Sequence, residues 1–255
     1  MSAMVILPCA GAGSRLGLPY PKELLAVGPN RLLIDDTVDL LRTTSAPLGG
    51  VVIVVDDHHR PTIPYVTARL GDLPVCVVRQ PPPHVAWTGA VHSARPWLAD
   101  RALVLLPDQI VRAADGTDPL AWALSVLTRH RISFLAHQPA HPDCLAGDGA
   151  LKVARDSDPR VTDYLEKPGP AAARFDSAWV ALAFRVPEGL PAVQAMHRML
   201  TTPASPVAPV TLGEVGILGA PVGWVASYHD LGCWPAVTRH WHAQQPPSRR
   251  PPEPL

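Results

Sequence analysis

The chain has 255 residues, 47% of them hydrophobic, and its 22 Lys plus Arg are balanced by 22 Asp plus Glu. That length and apolar content predict a globular chain with a substantial core and exclude a disordered one. A formal net charge of zero provides no field to draw nucleic acid or an anionic membrane, so any anion site has to be local.

An apolar run at residues 5–7 reads as a buried strand that empties into a glycine-rich loop, with Gly11, Gly13 and Gly17. Glycines without Cβ atoms let backbone N–H groups approach an anion, and Arg15 and Lys22 add two cations close by, so the expected ligand is a polyphosphate. A plain strand-to-helix turn is the alternative for the glycines alone. A P-loop is excluded, because no Gly-Lys pair follows at the required spacing. A dinucleotide fingerprint fits no better: the third glycine is one position late, and Asp56 and Asp57 lie more than forty residues on.

Apolar spacing predicts a helix through residues 35–42, with acids in its first turn. The β-branched run 51–55 predicts a central strand. A helix at 62–70, a strand at 74–79, a helix at 88–99 and a strand at 103–106 follow. Strand and helix alternate, which gives an α/β, doubly wound, mostly parallel sheet with ligands at the strand C-terminal ends. The second half predicts a helix at 118–130, strands at 132–137, 150–154 and 178–185, a helix at 189–200, a strand at 222–227 and a last helix at 234–243. Residues 1–243 are expected to form one domain, and the proline-rich residues 244–255 a disordered tail.

Cys9, Cys76, Cys144 and Cys233 contain no C-x-x-C and are expected to be reduced packing thiols. The N-terminal apolar run is too short for a signal peptide or a membrane span, so a cytoplasmic enzyme is expected. His58, His59, His137, His141 and Cys144 lie in loops without the partners a metal site needs.

Gly11-Ala12-Gly13-Ser14-Arg15 followed by Pro21-Lys22-Glu23 resembles the opening signature of the sugar-1-phosphate nucleotidylyltransferases, which include the glucose-1-phosphate uridylyl- and thymidylyltransferases. Further matches fall in order along the chain up to residue 230. Gln80 resembles the base-contacting glutamine of the family, and Leu105-Leu106-Pro107-Asp108 its strand-end metal aspartate. Glu166-Lys167-Pro168 matches its E-K-P, Gly213-Glu214 a sugar-binding G-E before a helix, and Asp230 the second metal aspartate. Read singly, Asp108 is equally a turn or capping residue, Gln80 a surface glutamine, Glu166-Lys167 a solvated pair and Glu214 a first-turn acid.

The resemblance implies a Rossmann-like nucleotidyltransferase fold and a Mg²⁺-dependent transfer from a nucleoside triphosphate, UTP or dTTP favoured, to a sugar 1-phosphate, with release of pyrophosphate. Arg15, Lys22, Asp108 and Lys167 would be catalytic. Ala10, Gly11, Ala12, Gly13, Gln80, Thr88 and Gly89 would bind the nucleotide, and Glu166, Lys167, Ala181 and Glu214 the acceptor. Asp108 and Asp230 would hold Mg²⁺. The partners would be a nucleoside triphosphate and a phosphorylated small molecule, with no nucleic acid and no membrane; there is room for a homodimer.

The chain also departs from the family. Trp87 and Thr88 stand in a segment that is glycine-rich in relatives, Gln109 follows Asp108, Ala181 replaces a glycine, and Cys233-Trp234 follows the second aspartate. These departures leave two alternatives open: a cytidylyltransferase acting on a non-sugar phosphate or phosphonate, and a catalytically silent nucleotide-binding regulator.

Overall fold

The computed structural model describes residues 2–11, 16–82, 86–113, 116–139, 145–202 and 207–230, with the side chains of residues 110, 112, 113 and 226–230 left out. The predicted helix at 234–243, the tail and residues Ala12, Gly13, Ser14 and Arg15 lie outside the described residues.

The first half alternates as its sequence pattern requires. Strand β1 (Ala3–Pro8) leads through a hairpin, β2 (Ala26–Gly28) and β3 (Arg31–Leu32), into helix α1 (Asp35–Thr43). Strand β4 (Leu48–Val55), helix α2 (Thr62–Leu70), strand β5 (Val75–Arg79), helix α3 (Ala86–Ala94) and strand β6 (Arg101–Leu105) follow. The predicted helix at 88–99 is shorter, because Pro96 lacks an amide donor and the chain tightens into a 3₁₀ turn at Arg95–Trp97.

Beyond β6 the chain continues through strand β7 (Gln109–Ala113), helix α4 (Pro119–Ser125) and strands β8 (Ile132–His137), β9 (Gly149–Ala154), β10 (Arg160–Glu166) and β11 (Ser177–Arg185). Helices α5 (Leu190–Thr201) and α6 (Pro209–Glu214) and strand β12 (Val222–Asp230) complete the described residues. Strands β7 and β10, the small hairpin and α6 were not anticipated.

The main sheet runs β5-β4-β1-β6-β11-β8-β12-β7, with the β9–β10 hairpin branching from β11. Strands β5, β4, β1, β6, β8 and β12 share one direction, and β11 and β7 oppose it. The doubly wound, mostly parallel sheet is therefore present, with β11 wedged antiparallel between β6 and β8. Successive strand residues face opposite layers. Ile6, Val52, Val104, Phe134 and Phe184 pack under α3 and α5. Val5, Leu7, Ile53, Leu103 and Leu105 pack against α1, α2 and α4. Helices pack on both faces of the sheet, and the row of strand C-termini is the edge at which such a sheet presents its ligands. No described helix is long and apolar enough to cross a membrane.

Candidate active site

The candidate site forms where β1, β4 and β6 end. Past β1, the Cys9 amide still donates to Val54 O at 2.8 Å, so the loop leaves the sheet pinned to β4. Lys22 opens a single 3₁₀ turn, Lys22–Leu24, after Pro21. That turn is anchored by a satellite core of Leu16, Leu25, Val27 and Leu33, which is separate from the two sheet layers. It therefore sits on its own apolar footing, and the Lys22 side chain is directed back across the loop.

Lys22 Nζ lies 2.5 Å from Asp108 Oδ2, a contact between residues 86 positions apart. A Cβ on Gly11 would come within 3.7 Å of Lys22 Cε and Nζ, so Gly11, the lysine and the strand-end aspartate occupy one locus. Asp108 is 7% exposed. The register of β7 with β12 pairs Asp230 with Gln109, which brings the backbone of the second expected metal aspartate beside the first. Among the described residues no group of three or more His, Cys, Asp or Glu could hold a metal ion. Asp108 and, by its place in the register, Asp230 are the carboxylate residues at this edge that could hold a hard dication together with ligand oxygens.

Gln80 follows β5. Its amide donates to Val55 O at 2.8 Å and its side-chain Nε2 to Ala86 O at 3.1 Å, tying the strand end to the start of α3. Ala86 holds φ 57°, a left-handed conformation unusual for a residue with a Cβ. Thr88 faces away from the strand edge, its hydroxyl 2.7 Å from His197 Nδ1 on α5, and Gly89 is buried beside it.

Glu166 and Lys167 close β10. Glu166 is buried and accepts a short hydrogen bond from the Tyr164 hydroxyl. Burial pushes its carboxyl above the usual range, and the Tyr164 bond and the Lys167 ammonium moderate the rise. The indole N–H groups of Trp179 and Trp87 also act on it electrostatically, although neither closes a hydrogen bond of good geometry. The two indoles meet edge to face at 4.9 Å. Lys167 is held at φ 48° while its amide donates to Asp148 O at 2.8 Å. Strained non-glycine residues thus occur at both Ala86 and Lys167, as is common where a ligand site fixes the backbone.

Of the other two expected acceptor residues, one lies inside the sheet beside the end of β6 and one at the opposite edge. Ala181 is fully buried in β11 opposite Leu105, within the apolar layer. Glu214 ends α6 and does not precede a helix; its carbonyl accepts from Arg131 at 3.3 Å, at the start of β8 and hence at the opposite edge of the sheet. A cavity of about 760 Å³ also lies near that opposite edge, lined by Trp122, His130, Arg160 and Trp224, away from Lys22 and Asp108.

Sequence reasoning passed over a third cluster. Glu23, directly after Lys22, is fully buried and neither carboxylate oxygen has a hydrogen-bond partner. His59 Nε2 is 3.8 Å from it, and His59 Nδ1 is 2.6 Å from Asp56 Oδ1 at the end of β4. Burial raises the Glu23 carboxyl to about 7, against the opposing pull of Lys22. The one signal in the sequence was the Pro-Lys-Glu triplet itself, since nothing in its spacing pairs Glu23 with a histidine 36 positions on.

Comparisons with known proteins agree with this fold. A family model described as a MobA-like NTP transferase domain matches residues 4–155. A UDP-glucose pyrophosphorylase complexed with UDP-glucose is 16% identical with a TM-score of 0.75, covering 95% of this chain and 98% of that one. A UTP-bound UGPase from Acinetobacter baumannii is 17% identical with a TM-score of 0.67, covering 94% of this chain and 92% of that one. A Bacillus anthracis protein described as a glucose-1-phosphate thymidylyltransferase, in complex with sucrose, is also 17% identical, with a TM-score of 0.66 and coverage of 94% and 95%. At these identities the likeness establishes the fold. A search of curated protein sequences found no match. The family model spans more than half of the chain and covers the glycine loop, Lys22 and Asp108, so the chain belongs to the MobA-like NTP transferase family and is a nucleotidyltransferase.

Proposed function

We propose that the protein is a Mg²⁺-dependent nucleotidylyltransferase that condenses a nucleoside triphosphate, UTP or dTTP by preference, with a sugar 1-phosphate to give a nucleoside diphosphate sugar and pyrophosphate. The observation that carries this reading is the Lys22–Asp108 contact against Gly11 at the C-terminal strand edge. A cation, a hard carboxylate and a glycine loop together suit a triphosphate.

An acceptor phosphate oxygen attacks the α-phosphorus, forming one P–O bond as the bond to the β-phosphate breaks and pyrophosphate leaves in line. A phosphate monoester is largely ionised at neutral pH, with a second pKa of about 6, so no general base is required. Positioning and charge complementarity then supply the catalysis. The backbone of Ala10, Gly11, Ala12 and Gly13, with Arg15, would hold the triphosphate, and Lys22 would offset charge at the α-phosphoryl group. Gln80 at the end of β5 would face the base, with Thr88 and Gly89 supporting the start of α3 from behind, while Glu166 and Lys167 would bind the acceptor. Asp108 and Asp230 would hold Mg²⁺, which when bound neutralises triphosphate charge.

The test is pyrophosphate release in the presence of Mg²⁺, across UTP, dTTP, CTP, GTP and ATP, each against glucose 1-phosphate and a panel of other phosphates. Release with UTP or dTTP and a sugar 1-phosphate is the expected result; tight triphosphate binding without turnover would overturn it in favour of a regulator. A second reading, cytidylyl transfer to a non-sugar phosphate, is favoured by the position of Glu214 at the far edge, which withdraws one expected sugar contact, and by Trp87 against Trp179 beside Glu166. Release confined to CTP with a non-sugar acceptor would establish that reading.

A further inference from the structure

Glu23 is an anomaly that the transfer reaction, as assigned above, leaves unexplained. A carboxylate with no exposed area and no hydrogen bond of good geometry to either oxygen, only its own backbone N–H acting on it weakly, is unfavourable when ionised. Yet it directly follows Lys22 and lies beneath the same turn. The groups that act on it come from four elements: Lys22 on its own turn, Asp108 beyond β6, Asp56 beyond β4 with His59 in the loop before α2, and Cys9 beyond β1.

His59 is 2% exposed and held on two sides by one carboxylate oxygen. Its backbone N–H reaches Asp56 Oδ1 at 3.0 Å and its ring Nδ1 the same atom at 2.6 Å. Burial would raise the Asp56 carboxyl, but these bonds hold it below its ordinary value, so it stays an acceptor and the ring proton belongs on Nδ1. Nε2 is then the nitrogen facing Glu23 Oε2 at 3.8 Å. Closing that gap to hydrogen-bond length takes a shift of less than about 1 Å. One proton then satisfies both partners, whether it resides on the glutamate or on the imidazole.

We propose that Asp56, His59 and Glu23 form a buried, proton-sharing brace behind the Lys22 turn, in which Glu23 is a positioning residue that sets how the Lys22 ammonium is held. The effect on turnover rests on the reading of Lys22 as a triphosphate contact. Negative charge arriving at Lys22 and Asp108 favours the protonated brace, so triphosphate occupancy and the brace proton are linked.

Two measurements on the full-length protein test this. In ¹⁵N-histidine spectra recorded across about pH 5–9, the His59 ring signals of the wild type should report the gain and loss of the Glu23 proton, and that pH-dependent change should disappear in the isosteric Glu23→Gln protein and be altered in Asp56→Asn. In pyrophosphate release, Glu23→Gln should lose on the order of tenfold to a hundredfold in kcat, with the acceptor KM unchanged. That is the range for displacing a charged contact by up to an ångström. Its kcat–pH profile should lose the limb near neutrality. His59 signals with the same pH dependence in wild type and Glu23→Gln would overturn the brace. A Glu23→Gln enzyme with wild-type kcat and pH profile would overturn its role in positioning Lys22. A wild type that shows the coupled His59 transition yet releases no pyrophosphate would support the brace and count against nucleotidyl transfer.

Discussion

Burying Glu23 makes the fold itself sensitive to pH. Its carboxyl is raised from an ordinary value of 4.5 to about 7 in the folded protein, chiefly by burial. Between those two values the folded state binds more protons than the unfolded state, so stability should fall as pH rises through that window and level off above about 7. Urea midpoints measured from pH 4.5 to 8 should show this decline, and Glu23→Gln should flatten it. Lys22 and Asp108 predict a different outcome. Lys22→Ala and Asp108→Asn should each lower kcat on the order of 10² to 10³, as removal of one preorganised electrostatic contact does, with the fold retained. Asp108 and Lys22 were legible in the sequence because each sits in a local motif at a strand end or glycine loop. His59 was not, because its significance depends on Glu23 and Asp56, which are brought together only by the ends of separate strands.

At the scale of elements, α4 rests on one side chain. Asp118 accepts from the amides of Leu120 and Ala121 at 3.0 Å each, capping the helix, and from the hydroxyls of Thr44 and Ser45 and the Ser45 amide beyond α1. Burial would raise its carboxyl, but these donors hold it below the ordinary value. Asp118→Ala should therefore destabilise by at least the roughly 1–2 kcal/mol of a lost cap, measured as a shift in denaturant midpoint. A tighter constraint lies at Gly149, where a Cβ would collide with the Trp179 indole. Gly149→Ala should lower stability by about 1–3 kcal/mol through overpacking and weaken acceptor binding by displacing Trp179 from Glu166.

The strands of the parallel half were legible because β-branched runs buried on both sides announce themselves. Strand β10 was missed because its register shifts between Val161 and Asp163, which breaks the two-residue alternation, and β7 because it is a short strand of five residues directly behind the Pro107-Asp108 turn. Gly213-Glu214 was misplaced for the opposite reason: a two-residue match carries no information about which edge of the sheet it will occupy.

For the molecule as a whole, Lys22 and Asp108 lie outside the two apolar layers, so metal and nucleotide should add stability from outside the core. Mg²⁺ alone should leave Tm unmoved, whereas Mg²⁺ with the preferred triphosphate at a hundredfold excess over Kd should raise it by roughly 5–10 °C. A chelator should abolish turnover and reverse that shift without unfolding the protein. The position of β11 carries a last consequence. The segment shared with the family ends at residue 155, yet the strand that joins β6 to β8 spans Ser177–Arg185. A fragment cut at residue 155 would contain the glycine loop, Lys22 and Asp108 but would expose two unpaired strand borders across a central gap, an invitation to aggregate. The catalytic half is therefore no autonomous module. Supplying residues 156–255 as a separate polypeptide should restore solubility by inserting the missing strand, which makes this seam the natural place to split the enzyme into two complementing pieces.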